Sequence, residues 1–221
     1  MESFIFLTKR KRLSPSYSIE SKISNGSHES IAGVDEVGRG TLAGPVTAAA
    51  VILPGPVPLK YRSIINDSKK LSVIQRNKAF KWLTTWCVTY GIGECTASEI
   101  DAIGILPATK LAMTRAIAKL DPQPDNLIID AIELSALKIP QTVMTRADSI
   151  SQSVAAASII AKVTRDQLMT EVFEEDYPGY GFASHKGYGT AFHMNALIKK
   201  GACRIHRRSF KPVMKVLGQS E

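Results

Sequence analysis

The residues in this sequence with the clearest chemical potential are acids that follow apolar runs. Asp35 and Glu36 come near the end of "IAGVDEV", Asp130 ends "NLIID", and Asp148 ends "TVMTRAD". A carboxylate at the end of a buried strand lies at the edge of its sheet, where α/β proteins commonly build their sites. We therefore expect one sheet to bring these four carboxylates to one place.

Four clustered carboxylates would repel one another unless a divalent cation neutralised them. Oxygen ligands without paired Cys or His favour Mg²⁺ or Mn²⁺ over zinc. Such ions in a basic protein favour phosphodiester chemistry, in which two metal ions activate a water and stabilise the leaving oxygen. The alternative is that each acid caps a helix or a turn, and Asp148 could cap the helix that follows it.

The segment after the first two acids offers a competing interpretation. Residues 38–43 fit G-x-G-x-x-A, a pattern of dinucleotide-binding loops. Such a site needs a helix directly after the loop, with its N-terminus facing the pyrophosphate, whereas Pro45 and "VTAAAVIL" favour a strand. Two carboxylates before the loop would also repel a pyrophosphate. The pattern favours a hairpin and disfavours a nucleotide-dependent oxidoreductase.

The charge of the chain favours an anionic partner. There are 28 Lys and Arg residues against 20 Asp and Glu residues, a formal net charge of +8, which favours nucleic acid. From Lys186 onward there are eight basic residues and one acid, Glu221. This asymmetry predicts a basic C-terminal end that faces nucleic acid beside an acidic pocket. A basic protein without such a partner is the alternative that net charge leaves open.

Composition predicts a cytoplasmic protein without a membrane partner. No apolar run approaches the ~20 residues of a membrane-spanning helix. The apolar patch near the N-terminus comes before the basic residues 9–12, the reverse of the order in a secretory signal. Three cysteines without a close pair favour reduced thiols. Nothing in the sequence indicates a protein partner, and we expect a monomer.

Strands and helices alternate along the chain, which predicts an α/β domain. Residues 1–28 are Ser-rich and basic and predict a flexible tail before one domain over residues 29–221. Strands are expected at "SIAGVDEV", "PVTAAAVILP", "CVTYGIGEC", "NLIID" and "TVMTRAD". The first two are joined by few residues and so run antiparallel, which makes the sheet mixed. Helices are expected after the caps Ser72, Thr96 and Thr190, and around "VAAASIIAKVTRD".

Six motifs occur in the order found in a known family, and the chain resembles the bacterial ribonuclease HII family. The matching stretches, which span residues 31 to about 217, are "GVDEVGRGTLAGP", "NDSKKLS", "LIIDA", "RADSISQSVAAASIIAKVTRD", "YPGYGFASHKGYGT" and "HRRSFKPV". The resemblance implies a ribonuclease H-like mixed sheet flanked by helices, with a helical C-terminal region over about residues 177–221. It also implies an endoribonuclease that hydrolyses the RNA strand of RNA–DNA hybrids. DNA would be nicked on the 5′ side of embedded ribonucleotides, which leaves 3′-hydroxyl and 5′-phosphate ends.

The resemblance assigns roles to individual residues. Two Mn²⁺ or Mg²⁺ ions would be held during catalysis by four acids: Asp35, Glu36, Asp130 and Asp148. Gly38, Arg39 and Gly40 would approach the ribonucleotide closely enough to read its 2′-hydroxyl, since a glycine has no side chain to block the sugar.

Further substrate contacts follow from the same resemblance. Tyr188 would pack on the deoxyribose that follows the ribonucleotide and so sense the RNA–DNA junction. Phosphate contacts are expected from the basic residues Lys69, Lys186, Arg207 and Arg208. His193 is interpreted as a structural helix residue and not as a catalyst.

Two further functions stay open at the level of sequence. A non-catalytic nucleic-acid-binding module on the same fold predicts affinity for hybrids without cleavage, and leaves four acids beside an anionic ligand unexplained. Another nuclease of the same fold, such as a Holliday-junction resolvase, is disfavoured by the pairing of the Gly-Arg-Gly segment with Tyr188.

Overall fold

A five-stranded mixed sheet forms the centre of the protein in the computed structural model, which describes residues 14–26 and 29–218. The strands are β1 (Ile31–Val37), β2 (Val46–Ile52), β3 (Thr89–Cys95), β4 (Asn126–Asp130) and β5 (Gln141–Met144). Their order is β3-β2-β1-β4-β5. The pairs β1–β2 and β2–β3 are antiparallel, and the pairs β1–β4 and β4–β5 are parallel. The predicted mixed sheet is confirmed.

Helices cover both faces of the sheet and form the C-terminal region. They are α1 (Ser18–Ser24), α2 (Val73–Trp86), α3 (Ala97–Ile103), α4 (Ile105–Ile117), α5 (Gln152–Gln167), α6 (Phe173–Asp176), α7 (Phe182–His185), α8 (Ala191–Lys200) and α9 (Lys211–Val216). Ser72, Thr96 and Thr190 cap α2, α3 and α8 as predicted, because each side chain accepts a backbone N–H of the first turn. Among the described helices, none is long and apolar enough to cross a membrane.

Two apolar layers enclose the sheet, and one of them brings a helix close to β1. Ala32 and Val34 of β1 pack with α4 on one face, while α2 and α5 pack on the other. At Gly33 a Cβ would overlap the backbone of Ser153, so glycine is what allows α5 to approach the strand. This close packing places Ser158 of α5 over Asp35.

Residues 14–26 differ from the flexible tail that the sequence predicted. They contain α1, and its Glu20 is only 1% exposed. Glu20 Oε1 accepts the Ser151 hydroxyl at 2.6 Å, the Ser153 amide at 3.0 Å and the Ser153 hydroxyl at 2.8 Å. A carboxylate in this position satisfies the first turn of α5, so the prediction is wrong for these residues. The remainder of the predicted tail, residues 1–13 and 27–28, lies outside the described residues.

Candidate active site

Neighbouring strands bring three of the four acids to one edge of the sheet. Val34 of β1 is paired with Ile129 of β4, so Asp35 and Asp130 are the next residues in register. Glu36 follows on β1. We refer to Asp35, Glu36, Asp130 and Asp148 as the acidic rim. The strand predicted to run to Asp148 is shorter than expected, because β5 ends at Met144 and Asp148 lies in a 3-10 turn, Ala147–Ser149.

Asp35 is the most buried member of the acidic rim, at 6% exposure. Its Oδ1 accepts the Glu36 amide at 2.8 Å. Burial raises the pKa of Asp35 well above its usual range, and the charges of Glu36 and Asp130 raise it further, while a hydrogen bond with Ser158 opposes the shift. The charged form of Asp35 is therefore disfavoured unless a cation lies beside it.

Glu36 has one satisfied and one unsatisfied oxygen. Its Oε1 accepts from Arg39 Nη1 at 3.3 Å, whereas Oε2 is buried and has no hydrogen-bond partner among the described residues. Burial raises the pKa of Glu36, and Arg39 opposes that shift. A buried oxygen without a partner is costly, and it is the kind of atom that a metal ion would satisfy.

Asp148 is associated with an acid that sequence reasoning missed. Burial raises the pKa of Asp148, and the charges of Asp67 and Asp130 raise it further, while Lys69 opposes the shift. Asp67 caps a 3-10 turn, Ser68–Lys70, by accepting the Lys69 amide at 3.0 Å. Its position in "NDSKKLS", two residues before Lys69, a predicted phosphate contact, was the signal that could have identified it.

The acidic rim offers the oxygen ligands that a hard divalent cation prefers, although its carboxylates do not lie close together. Within residues 14–26 and 29–218, no three Asp, Glu, His or Cys side chains are gathered closely enough to hold a metal ion. The carboxylates are directed to nearby donors instead, as in the Asp130 Oδ1 bond to the Ala147 amide at 3.2 Å. Raised pKa values and the unsatisfied Glu36 oxygen still favour cation binding. Binding would require these side chains to rotate towards one another.

The loop between β1 and β2, residues 38–45, is the glycine loop, and no helix follows it. β2 begins directly afterwards at Val46, as expected for a hairpin and unlike a dinucleotide site. Gly38 has a φ of +90°, and a Cβ there would overlap the Arg165 side chain. Gly40 has no atom within 4 Å of its Cβ position, so its backbone is open on that side.

Arg207 does not have the phosphate-contacting position that the sequence predicted. It is fully buried, and its guanidinium donates to the carbonyl oxygens of Gly38, Arg39 and Gly44 at 2.6–3.0 Å. Arg207 therefore holds the glycine loop from inside, and the predicted direct contact is wrong. Arg208 is exposed, and its backbone amide is bound to Asp101 at 2.9 Å.

The other predicted contact residues differ in how exposed their side chains are and in whether they already form hydrogen bonds. Tyr188 is 41% exposed, and Lys162 Nζ lies 5.9 Å from its ring centroid. Lys69 is exposed near Asp148. The Lys186 ammonium is partly buried and already donates to Thr170 Oγ1, at 2.6 Å, and to the Ala183 carbonyl. Burial lowers the pKa of Lys186.

The turn that carries Tyr188 touches the glycine loop. The Leu42 amide donates to the Gly187 carbonyl at 2.8 Å. The structure thus brings together the two elements that sequence reasoning assigned to ribonucleotide recognition. His193, interpreted as structural, is fully buried beneath this turn.

The sequence comparisons assign the family. A family model described as Ribonuclease HII matches residues 32–213. This chain belongs to the ribonuclease HII family. The ribonuclease HII of Geotalea uraniireducens is 48% identical over 202 residues, which cover 91% of this chain and 92% of that protein. The ribonuclease HII of Desulfitobacterium hafniense strain DCB-2 is 51% identical over 187 residues, 85% of this chain and 70% of that protein.

Solved structures share the fold of this ribonuclease HII family member. Ribonuclease H2 from Pyrococcus horikoshii matches with a TM-score of 0.70 and 28% identity, covering 86% of this chain and 98% of that one. Bst ribonuclease HIII, solved in complex with Mn²⁺, matches with a TM-score of 0.66 and 19% identity over 86% of this chain and 70% of that one. The predicted ribonuclease H-like fold with a helical C-terminal region is confirmed, and the chain is an enzyme of the ribonuclease class.

Proposed function

We propose that this protein hydrolyses the RNA strand of RNA–DNA hybrids and nicks DNA on the 5′ side of embedded ribonucleotides. The products would carry 3′-hydroxyl and 5′-phosphate ends. Membership of the ribonuclease HII family supports the reaction class. The observation on which the proposal chiefly rests is the acidic rim, whose members Asp35 and Glu36 lie on the strand that leads into an open glycine loop. Such acids beside an anionic substrate are favourable only with a divalent cation between them.

Metal binding is assigned to the acidic rim: Asp35, Glu36, Asp130 and Asp148. Their all-oxygen chemistry fits Mg²⁺ or Mn²⁺, and two ions are proposed during catalysis. When bound, the ions supply an activated water and neutralise the charge that develops on the leaving oxygen. Asp130 has a central position, since its charge raises the pKa of Asp35, Glu36 and Asp148 alike.

Substrate positioning is assigned to the glycine loop and to the residues around it. The open backbone at Gly40 allows a sugar with its 2′-hydroxyl to approach. The exposed ring of Tyr188 is available to pack on the next deoxyribose, and the exposed Lys69 and Arg208 are available to phosphates. Lys186 is a weaker candidate because its ammonium is already hydrogen-bonded.

A cytoplasmic monomer is proposed as the working form. Cys87, Cys95 and Cys203 are all free thiols, which fits a reducing compartment.

Cleavage of an end-labelled DNA duplex that contains one ribonucleotide tests the proposal. With Mg²⁺ or Mn²⁺, the wild type should give a single nick 5′ to the ribonucleotide and no cut in all-DNA duplex. Asp35→Asn should lower the rate by about 10²-fold or more, because it removes a charge that stabilises the metal-bound site. Glu175→Gln, at an exposed acid on α6, is the matched control and should cleave like the wild type.

The alternatives predict different results in the same assay. Binding without cleavage under either ion would favour the non-catalytic module. Cleavage of a long hybrid without cleavage at a single ribonucleotide would keep the metal site and refute the roles given to Tyr188 and the glycine loop.

A further inference from the structure

Two buried arginines lie beneath the glycine loop without a counter-ion. Arg165 of α5 and Arg207 are both 0% exposed. In the described part of the chain, neither forms an ion pair with an acidic side chain. A buried charge is costly unless it is fully hydrogen-bonded. The cost indicates that these guanidinium groups have a positioning task that a neutral residue would not perform.

Backbone carbonyls take the place of the counter-ion. Arg207 donates to Gly38 and Arg39 at the start of the glycine loop and to Gly44 near its end. Arg165 donates to the carbonyls of Ala43 at 3.0 Å and Pro45 at 2.8 Å. We call Arg165 and Arg207 the arginine brace, since together they hold both ends of the loop.

Arg165 also joins the glycine loop to the turn that carries Tyr188. Its Nη2 donates to Thr41 Oγ1 at 2.9 Å, and its Nη1 donates to the Lys186 carbonyl at 2.9 Å. One rigid, planar guanidinium therefore fixes a distance between the two elements. A lysine would keep the charge but lose this fork of donors.

The brace also orients the backbone that faces the substrate. The carbonyls of Gly38 and Arg39 point inward to Arg207. The C=O and N–H of a trans peptide point in opposite directions. The amides of Arg39 and Gly40 are therefore directed away from the brace.

We propose that Arg165 and Arg207 are positioning residues that fix the spacing between the glycine loop and Tyr188, and thereby determine how efficiently a single embedded ribonucleotide is cleaved relative to a continuous hybrid. The inference rests on the proposed function, since it requires both elements to contact the substrate. A single ribonucleotide followed by deoxyribose can be aligned in only one register. Inside a long hybrid, ribose follows ribose in the cleaved strand, so the placement of Tyr188 matters less. Loss of the brace should therefore impair junction cleavage more than hybrid cleavage.

The test compares Arg165→Lys and Arg207→Lys with Arg115→Lys. Arg115 is a matched control, because its guanidinium also donates to a backbone carbonyl, that of Glu94 at 2.7 Å, but it lies on α4 across the sheet. We would measure kcat and KM on a single-ribonucleotide duplex and on a continuous hybrid with the same ion. The ratio of kcat/KM values, duplex over hybrid, should fall about tenfold to a hundredfold in both brace variants and stay unchanged in the control.

Thr41→Val keeps the test decisive if a lysine variant does not fold. It removes the Thr41 hydroxyl, which accepts from Arg165 and donates to the Gly38 carbonyl at 3.0 Å. The same ratio should therefore fall about threefold to tenfold, by the worth of one or two weakened bonds, and Thr41→Ser should restore it. An unchanged ratio in the folded variants, whether both activities fall equally or neither falls, would overturn the positioning role. A wild type that cleaves neither substrate would instead refute the proposed function itself, and the inference with it.

Discussion

At the scale of single residues, the acidic rim combines a functional requirement with a stability cost. Asp35, Glu36 and Asp148 are buried to an extent that raises each pKa, and each also feels the charge of Asp130. Hydrogen bonds from Ser158 and Arg39 offset only part of this penalty. Active sites that gather like charges commonly lower the stability of the fold that holds them.

Removing one charge should therefore stabilise the metal-free protein. In EDTA at neutral pH, Asp35→Asn is expected to raise the free energy of unfolding by about 0.5–2 kcal/mol, while Glu175→Gln leaves it unchanged. Mn²⁺ should raise the melting temperature of the wild type, because a ligand of the native state stabilises it, and should do so much less in Asp35→Asn. Urea unfolding and calorimetry measure both effects. A variant that is less stable than the wild type in EDTA would contradict the repulsion argument.

The positions of Asp35 and Asp130 could be predicted from sequence, whereas the arginine brace could not. An acid that follows an apolar run signals a strand end, and register then places Asp35 beside Asp130. Arg207 lies in a run of basic residues that reads as a surface patch, yet its partners Gly38 and Arg39 lie 169 and 168 residues earlier in the chain. Because these contacts join distant parts of the chain, the sequence around Arg207 does not indicate that its side chain is buried.

At the scale of elements, the sequence predicted those helix starts that are stabilised by hydrogen bonds within the helix itself. The caps at Ser72, Thr96 and Thr190 were predictable because each satisfies its own helix. Helix α1 was missed because its stability comes from elsewhere: it is short, and its Glu20 binds Ser151 and Ser153 of a distant segment. The sequence between residues 14 and 26 contains no sign of that partner.

A chain of hydrogen bonds supports the Tyr188 turn from below. The Cys203 amide donates to His206 Nδ1 at 3.0 Å, so the proton of neutral His206 is on Nε2, which donates to His193 Nε2 at 3.0 Å. His193 Nδ1 then donates to the Tyr188 carbonyl at 2.9 Å. Both rings must be neutral in this arrangement, since a second proton would set two N–H groups against each other.

This chain predicts a loss of stability in mild acid. Burial, and then the nearby His193, lower the pKa of His206 from 6.5 to about 4, and burial also lowers that of His193. Between pH 6.5 and about 4, the unfolded state binds more protons than the folded state. The stabilising contribution of neutral His206 is therefore complete above about pH 6.5 and is lost as the pH falls towards 4. At about 1.4 kcal/mol per pKa unit, the loss from His206 is at most roughly 3.5 kcal/mol.

Urea unfolding from pH 7.5 to 4.5 measures this loss, with His206→Gln as the comparison. The variant should be less stable at pH 7.5 but should lose less stability on acidification, because it lacks the titrating ring. The other groups around His206, namely His185, His193, Tyr180 and Cys203, remain in both proteins. Parallel curves for the two proteins would show that His206 is not the group that titrates.

At the scale of the whole molecule, exposed basic residues lie on one side of a site that is itself acidic. The net charge is +8 despite the acidic rim. Exposed basic residues continue from Lys69 and Lys70, beside the rim, along the outer side of α2 at Lys78 and Lys81. Helix α2 packs in the same apolar layer as α5, which contacts Asp35 through Ser158. A duplex held at the rim could therefore extend over α2.

Binding should accordingly weaken with salt, and part of that dependence should come from α2. Each phosphate contact that a lysine makes contributes roughly one unit to the slope of log affinity against log salt. In Asp35→Asn, which is expected to cleave slowly enough for binding to be measured, adding Lys78→Gln and Lys81→Gln should reduce the slope by about two for a long hybrid. Adding Lys138→Gln, at an exposed position between β4 and β5, should leave it unchanged. Fluorescence anisotropy from 50 to 300 mM salt gives the slopes. At ~0.1 M salt, exposed charges interact over about 10 Å, so only lysines close to the bound duplex should contribute. Equal slopes in all three proteins would mean that the duplex leaves the site in another direction and that the charge on α2 is only solvated surface.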